Sequence, residues 1–260
     1  MVLRALRLLV LAAFALFFAG PLLWLALATT KGGHGSLHSV VLAWQRLDSF
    51  NDHMFRRWML NSCVYTLAAT ALTIATAVPA GYGLALGRFA GRRLVLGITI
   101  ITMVMPPATL VLPIFLELNA VHLIGSSLSV ILPFAFFPFG VFVAYLYYAS
   151  LPAGLLDAAR VDGCSEWQTF YKVALPLAKP VIALVFFFAF VADWTNFFLP
   201  YVVLMDSAQF PVQVGLTDIL QGSESEVALA SLIAAAPVAL VFVLSQRSIV
   251  RGTWRGAIVE

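Results

Sequence analysis

Asp193 is the only acidic residue well inside an apolar run of this chain, and Asn196 follows it at i+3. On a helix that spacing sets carboxylate and amide on nearly one face. Trp194 and Phe197 flank them. Hydrogen-bonding groups beside an aromatic face are what a sugar requires, so Asp193, Trp194, Asn196 and Phe197 form a candidate translocation path. A carboxylate in hydrocarbon costs at least ~2.5–3.5 kcal/mol and must face protein or water. Two roles satisfy that demand: lining a solute path, or tying helices together. No Lys or Arg lies deep in an apolar run, so an anionic solute would need its countercharge from another subunit.

Catalytic chemistry is sparse. There is no HExxH, GxSxG, CxxC pair or G-x-x-x-x-G-K-[ST] loop. Without a phosphate-cradling loop the chain is not expected to hydrolyse ATP, and no cofactor is expected in it. His34 and His38 have an i,i+4 metal-ligand spacing, but Gly32, Gly33 and Gly35 oppose a helix there, so no metal site is expected. Cys63 and Cys164 read as plain thiols, since the topology below puts them on opposite membrane sides. No Lys/Arg-rich tract suited to nucleic acid occurs.

The longest polar interruption of the second half, 150–180, reads as two short helices around a turn. Ser150 is expected to cap a helix starting near Pro152, where proline's fixed φ and missing N–H are tolerated. That helix carries Leu155, Leu156, Ala158 and Ala159 and stops at Asp162-Gly163, where glycine can take a positive φ. Ser165 and Gln168 form an S-x-x-Q capping box for a second helix, from Glu166 to about Ala174, with Leu175-Pro176 as its end. Leu155, Leu156, Trp167 and Phe170 make the segment apolar as well, so it either docks on a partner or lies against the membrane or its own helical ends.

What must position these groups is a membrane. The 260 residues are 62% hydrophobic and 10% charged, with a mean hydropathy of +0.98. A soluble protein of this length would need far more polar surface. Six apolar runs, near 8–29, 60–87, 94–116, 127–149, 180–203 and 227–246, are each long enough to cross ~30 Å of hydrocarbon. Long runs without alternation fit helices, not a barrel. The fold class expected is an all-α integral membrane protein with six transmembrane helices, in one domain over 1–260. The first run, about 21 residues, is longer than a signal-peptide core and reads as an uncleaved first helix.

Basic residues orient the chain. With the N-terminus inside, Arg4, Arg7, Arg88, Arg92, Arg93, Arg160, Lys172, Lys179, Arg247, Arg251 and Arg255 are cytoplasmic, and only Lys31, Arg46, Arg56 and Arg57 are external. Both termini and the 150–179 loop, between helices 4 and 5, are then cytoplasmic. The external segment after span five carries Asp206, Asp218, Glu224 and Glu226 and no basic residue. The outer segment 30–59 suits a short amphipathic piece, its Trp44 and Trp58 anchoring at the interface. Prolines 106, 107, 113, 133 and 138 are expected to kink spans three and four, around a central path or as the ordinary proline enrichment of membrane helices. Gly81 and Gly83 around Tyr82 read as close helix packing.

Asp157-Ala158-Ala159, Gly163 and Leu175-Pro176 resemble the E-A-A-x-x-x-G…LP signature of bacterial ABC-importer permeases, of the MalG carbohydrate type. Asn61-Ser62, Pro106, Pro113, Leu132-Pro133, Pro138-Phe139, Trp194 with Asn196, Pro200 and the tail Arg251-Gly252…Arg255-Gly256-Ala257 extend the resemblance over about 58–257. One departure is Asp157 in place of the usual Glu. The resemblance implies that 150–179 is the coupling loop seated in a separate ATPase, with Leu155, Leu156, Asp157, Ala158, Ala159, Arg160, Asp162, Gly163 and Trp167 at the contact. It also implies a bacterial cytoplasmic membrane and import of a sugar or sugar-like solute by a complex. That complex comprises a second related permease, two ATPase subunits carrying ATP and Mg, and an extracytoplasmic solute-binding protein facing the four external acids. The arginine tail is either flanking charge or a further ATPase contact.

Overall fold

A computed structural model describes the backbone of residues 2–30 and 36–256. Among the described residues there are helices and no strand. Lys31 and His34 lie outside them, as do the side chains of Arg247, Arg251 and Arg255. In chain order the α-helices are α1 (Val2–Ala28), α2 (Ser36–Ser49), α3 (Met54–Leu86), α4 (Arg92–Val104), α5 (Val111–Ala120), α6 (Leu128–Ile131) and α7 (Pro138–Ala149). There follow α8 (Ala153–Val161), α9 (Glu166–Thr169), α10 (Leu175–Leu177), α11 (Lys179–Trp194), α12 (Phe198–Val203), α13 (Val212–Ile219) and α14 (Glu224–Gly256).

Four helical stretches are long and apolar enough to cross a membrane singly: Leu6–Ala28, Met54–Leu86, Leu128–Ala149 and Glu224–Gln246. Two further crossings exist only if a bent pair counts as one. Arg92–Val104 meets Pro107–Ala120 at 107°, and Glu166–Leu177 meets Lys179–Trp194 at 74°. The run 94–116 bends where its prolines were expected to kink it, at Met105-Pro106-Pro107, where two consecutive prolines remove successive N–H donors. The run 180–203 also breaks: α11 stops at Trp194 and the chain restarts as α12.

The described chain divides into two compact units, residues 1–60 with 211–237 and residues 61–210 with 238–260. In the first, Leu47, Phe55 and Trp58 are buried. Trp58 was expected at the interface, but it is fully buried. Gly215 of α13 allows this, because a Cβ there would lie 2.1 Å from the indole ring. Trp44 stays partly exposed under the Arg56 guanidinium, 6.0 Å away. Arg46 pairs with Glu226 at 3.3 Å.

In the second unit α3, α7 and α11 share one core of Ala77, Val78, Val141, Ala144, Val181 and Val185. Small residues set the spacing. A Cβ on Gly81 would stand 2.4 Å from Ala144 Cβ, and one on Gly140 3.1 Å from Val185. Gly83 has nothing within 4 Å, so only Gly81 of the expected pair packs closely. Prolines interrupt the candidate span Leu128–Ala149, and α3 repairs it. Pro138 has no N–H for the Phe134 carbonyl four residues back; Thr73 Oγ1 donates to that carbonyl instead, at 2.6 Å. Thr76 Oγ1 likewise donates to the Ala135 carbonyl. Threonine hydroxyls thus satisfy backbone groups that hydrocarbon would leave unpaired.

Candidate functional site

The segment joining α7 to α11 is built from local signals. Ser150 does not cap α8. Its backbone is helical (φ −86, ψ −7) at the end of α7, and its hydroxyl donates to the Tyr147 carbonyl at 2.7 Å. An N-cap needs an extended backbone, and Pro152 (φ −58, ψ 125) takes that place without a side-chain bond. At the other end of α8, Gly163 has φ +83, Cys164 N donates to Ala159 O at 3.0 Å, and Gly163 N donates to Arg160 O at 3.0 Å. These two bonds and the left-handed glycine make a Schellman ending. Ser165 and Gln168 then form the reciprocal capping box: Gln168 N donates to Ser165 Oγ at 3.3 Å and Ser165 N to Gln168 Oε1 at 2.9 Å.

The second helix does not end at Leu175-Pro176. After α9 it widens into a π-helical turn over Phe170–Ala174, closed by Leu175 N donating to Phe170 O, and resumes as α10. The extra residue of that turn directly precedes Pro176, where a regular ladder would lose a bond anyway. The 74° bend falls next, at Ala178 (φ −75, ψ 2).

Two of the four apolar residues turn inward. Leu156 is 2% exposed and Phe170 4%, both in the core with Tyr82 and Tyr148. Phe170 lies 4.9 Å from the Tyr82 ring, which meets Tyr148 edge-on at 5.3 Å. The other side faces out: Leu155 is 41% exposed, Trp167 70% and Val161, which sequence reasoning overlooked, 87%. Val161 precedes the turn at the same spacing from Asp157 as Arg160 plus one, a signal available only once the helix phase is fixed. Asp157, Ala158, Asp162 and Gly163 are exposed, and Ala159 is buried.

Charge fastens the two helices to each other. Arg160 Nη1 reaches Asp157 Oδ1 at 3.0 Å and its Nε reaches Glu166 Oε1 at 3.1 Å. The hydrogen bonds the guanidinium donates to Glu166, then to Asp157, hold it above the usual arginine range. Arg160 is thus committed within the segment, and Glu166, absent from the expected set, is its partner across the turn.

The second group sits at the break after α11. Thr70 of α3, itself buried, donates to Asp193 Oδ2 at 3.3 Å. Asn196 N donates to Asp193 O at 3.2 Å, so Asn196 lies just past the helix end. Trp194 is 2% exposed and stacks on Phe190 at 5.6 Å; half-buried Phe197 stacks on Tyr201 at 5.2 Å. Nearby, Asn61 Nδ2 donates to the Ala208 and Phe210 carbonyls at 2.8 and 3.0 Å, and Tyr65 to Gln209 O at 3.0 Å. Asp206 accepts from Ala208 N at 2.9 Å; in the other unit Asp218 and Glu224 are exposed, and Glu226 holds the Arg46 pair.

Residues 77–255 match the family described as binding-protein-dependent transport system inner membrane component. The arabinooligosaccharides transport system permease protein AraQ of Bacillus subtilis is 34% identical over 208 residues, 79% of this chain and 74% of that protein. The lactose transport system permease protein LacG of Rhizobium radiobacter is 28% identical over 252 residues, 93% of this chain and 91% of that protein. Among solved structures, a bacterial ABC transporter involved in the import of the acidic polysaccharide alginate superposes with a TM-score of 0.81 at 24% identity, covering 95% of this chain and 96% of that one. A family match over this extent, on a helical chain with repeated apolar crossings, settles the class: the chain belongs to the inner-membrane components of binding-protein-dependent transport systems.

Proposed function

We propose that this chain is the transmembrane permease subunit of an ABC importer for a sugar or sugar-like solute, working as one permease domain with six crossings and both termini cytoplasmic. The observation that carries the reading is the 150–177 segment: two helices braced by the Asp157–Arg160–Glu166 cluster, rooted in the core through Leu156 and Phe170, presenting Leu155, Val161 and Trp167 outward. A rigid, apolar-faced element on a membrane protein calls for a soluble partner. A separate ATPase fits, carrying ATP and Mg that this chain has no loop to hold. The sugar assignment is supported by relatives named for arabinooligosaccharides and lactose.

In this mechanism the nucleotide-bound ATPase dimer binds one state of the permeases more tightly, and that difference shifts the cavity between its two openings. The braced segment carries the shift to α11 through the 74° bend at Ala178, and the 107° bend at 105–107 and the break at 195–197 are further interruptions. A second related permease and an extracytoplasmic binding protein complete the complex, with Asp206, Asp218, Glu224 and Glu226 facing the latter.

The test is ATPase turnover of the reconstituted complex, co-expressed with its neighbouring subunits, comparing wild type with Gly163→Pro. Proline cannot take φ +83. The expected result is an assembled complex whose solute-stimulated turnover falls at least about tenfold, the scale of ~1.4 kcal/mol of lost coupling. Normal stimulation in the variant, or no ATPase bound by wild type, rejects the reading.

A further inference from the structure

The turn after α3 and the first residues of α4 carry three arginines that positive-inside flanking would explain without any particular geometry. Geometry is nonetheless present. Arg88, Arg92 and Arg93 line a single recess of about 850 Å³, together with Phe89, Leu94 and, from α7, Tyr145. Among the described residues none of the three has a carboxylate within ion-pair distance. The hydrogen bond found for them is Arg92 Nη1 to the Gly87 carbonyl, at 3.3 Å.

Three guanidinium groups around one recess repel one another unless an anion sits among them. The backbone adds to this field. Gly91, at φ +86, is the N-cap of α4 and brings no side-chain acceptor, so the helix opens toward the turn with its positive end uncapped. The remaining walls are apolar: Phe89 is 49% exposed and Leu94 68%. A free inorganic anion has no use for such walls. An amphiphile uses both surfaces, and the recess lies where α3, a candidate crossing, ends and the bent pair of α4 and α5 begins.

We propose that this recess binds the headgroup of an anionic phospholipid. The arginines take the phosphate in paired, fork-shaped contacts. Phe89, Leu94 and Tyr145 take the glycerol and the first acyl carbons. The proposal depends on the membrane placement of α3 and α4 and not on which solute is carried or which ATPase binds.

The full-length chain in detergent is titrated with phosphatidylglycerol and with phosphatidylcholine of the same acyl chains, and lipid adducts are counted by native mass spectrometry. Phosphatidylglycerol is expected to half-saturate at a concentration at least about tenfold lower, since each of the three basic residues contributes up to roughly fivefold at a membrane surface. Arg88→Gln with Arg93→Gln should abolish the preference, while Arg56→Gln with Arg57→Gln, the same charge change elsewhere, should keep it. Equal binding of the two lipids, or a preference surviving in the Arg88/Arg93 variant, overturns the proposal. So does displacement of phosphatidylglycerol by millimolar inorganic phosphate, which would make free phosphate the occupant. Should that variant not fold, a photoactivatable phosphatidylglycerol is crosslinked to wild type in vesicles. Adducts concentrated within 87–96 support the site; adducts spread over all crossings reject it.

Discussion

At the scale of single residues, two glycines two positions apart, on different sides of α3, carry opposite expectations. Gly81→Ala would drive its Cβ to 2.4 Å from Ala144 Cβ and 2.7 Å from the Tyr145 backbone nitrogen, so α3 and α7 must separate. Overpacking of this kind costs about 1–3 kcal/mol, and a thermal unfolding scan in detergent should show a clearly lowered midpoint. Gly83→Ala meets nothing within 4 Å and should raise stability by about 0.5–1 kcal/mol, from reduced chain entropy in the unfolded state. Asp193 allows a comparable separation of roles. Asp193→Ala strands the Thr70 hydroxyl in a buried site and is expected to destabilise by about 1–3 kcal/mol, whereas Asp193→Asn keeps an acceptor. If the carboxylate lines the solute path, Asp193→Asn will lower transport at unchanged stability; equal transport leaves Asp193 as a tie between α3 and α11. The sequence exposed the residue types here but not their neighbours. Gly81 and Gly83 look alike until Ala144, some sixty residues away, is placed, and Thr70 gives no sign of meeting Asp193.

At the scale of elements, legibility follows the range of the interaction. The capping box at Ser165 and the left-handed Gly163 were readable because each is complete within six residues. Ser150 misled because a hydroxyl has more than one local acceptor, and the preceding helix claimed it. The proline breaks could be located, but not their repair, since Thr73 and Thr76 act from another helix. The π-helical turn at 170–174 has no sequence mark beyond Pro176. Ser165→Ala should cost about 1 kcal/mol locally by removing the acceptor for Gln168 N. Hydrogen exchange should then show faster opening of residues 166–170 with the core of α3 and α11 unaffected. Slowed or unchanged exchange there would mean that Phe170 packing alone holds α9, and that the cap is redundant.

At the scale of the whole molecule, the side of the membrane that each segment faces is read from the labelling of a native cysteine, Cys164. In the proposed topology Cys164 is cytoplasmic, and it lies in the turn between α8 and α9, outside every candidate crossing. Cys63 lies within α3, one of those crossings. Both are free and neither is fully exposed. Labelling is best run near pH 8, where a few tenths of an ordinary thiol is thiolate. A membrane-impermeant maleimide should then leave Cys164 unmodified in intact spheroplasts and modify it in inside-out vesicles, read by peptide mapping. The ion pair between Arg46 and Glu226 holds these two residues on one side, the external one in the proposed topology. Adding the ATPase subunits to inside-out vesicles should slow Cys164 labelling severalfold, since Trp167 and Leu155 beside it would be covered. Labelling from the outside would reverse the topology, and with it the assignment of 150–179 as the ATPase contact. Labelling from the inside without protection would keep the topology and move the contact elsewhere, toward the arginine-bearing end of α14.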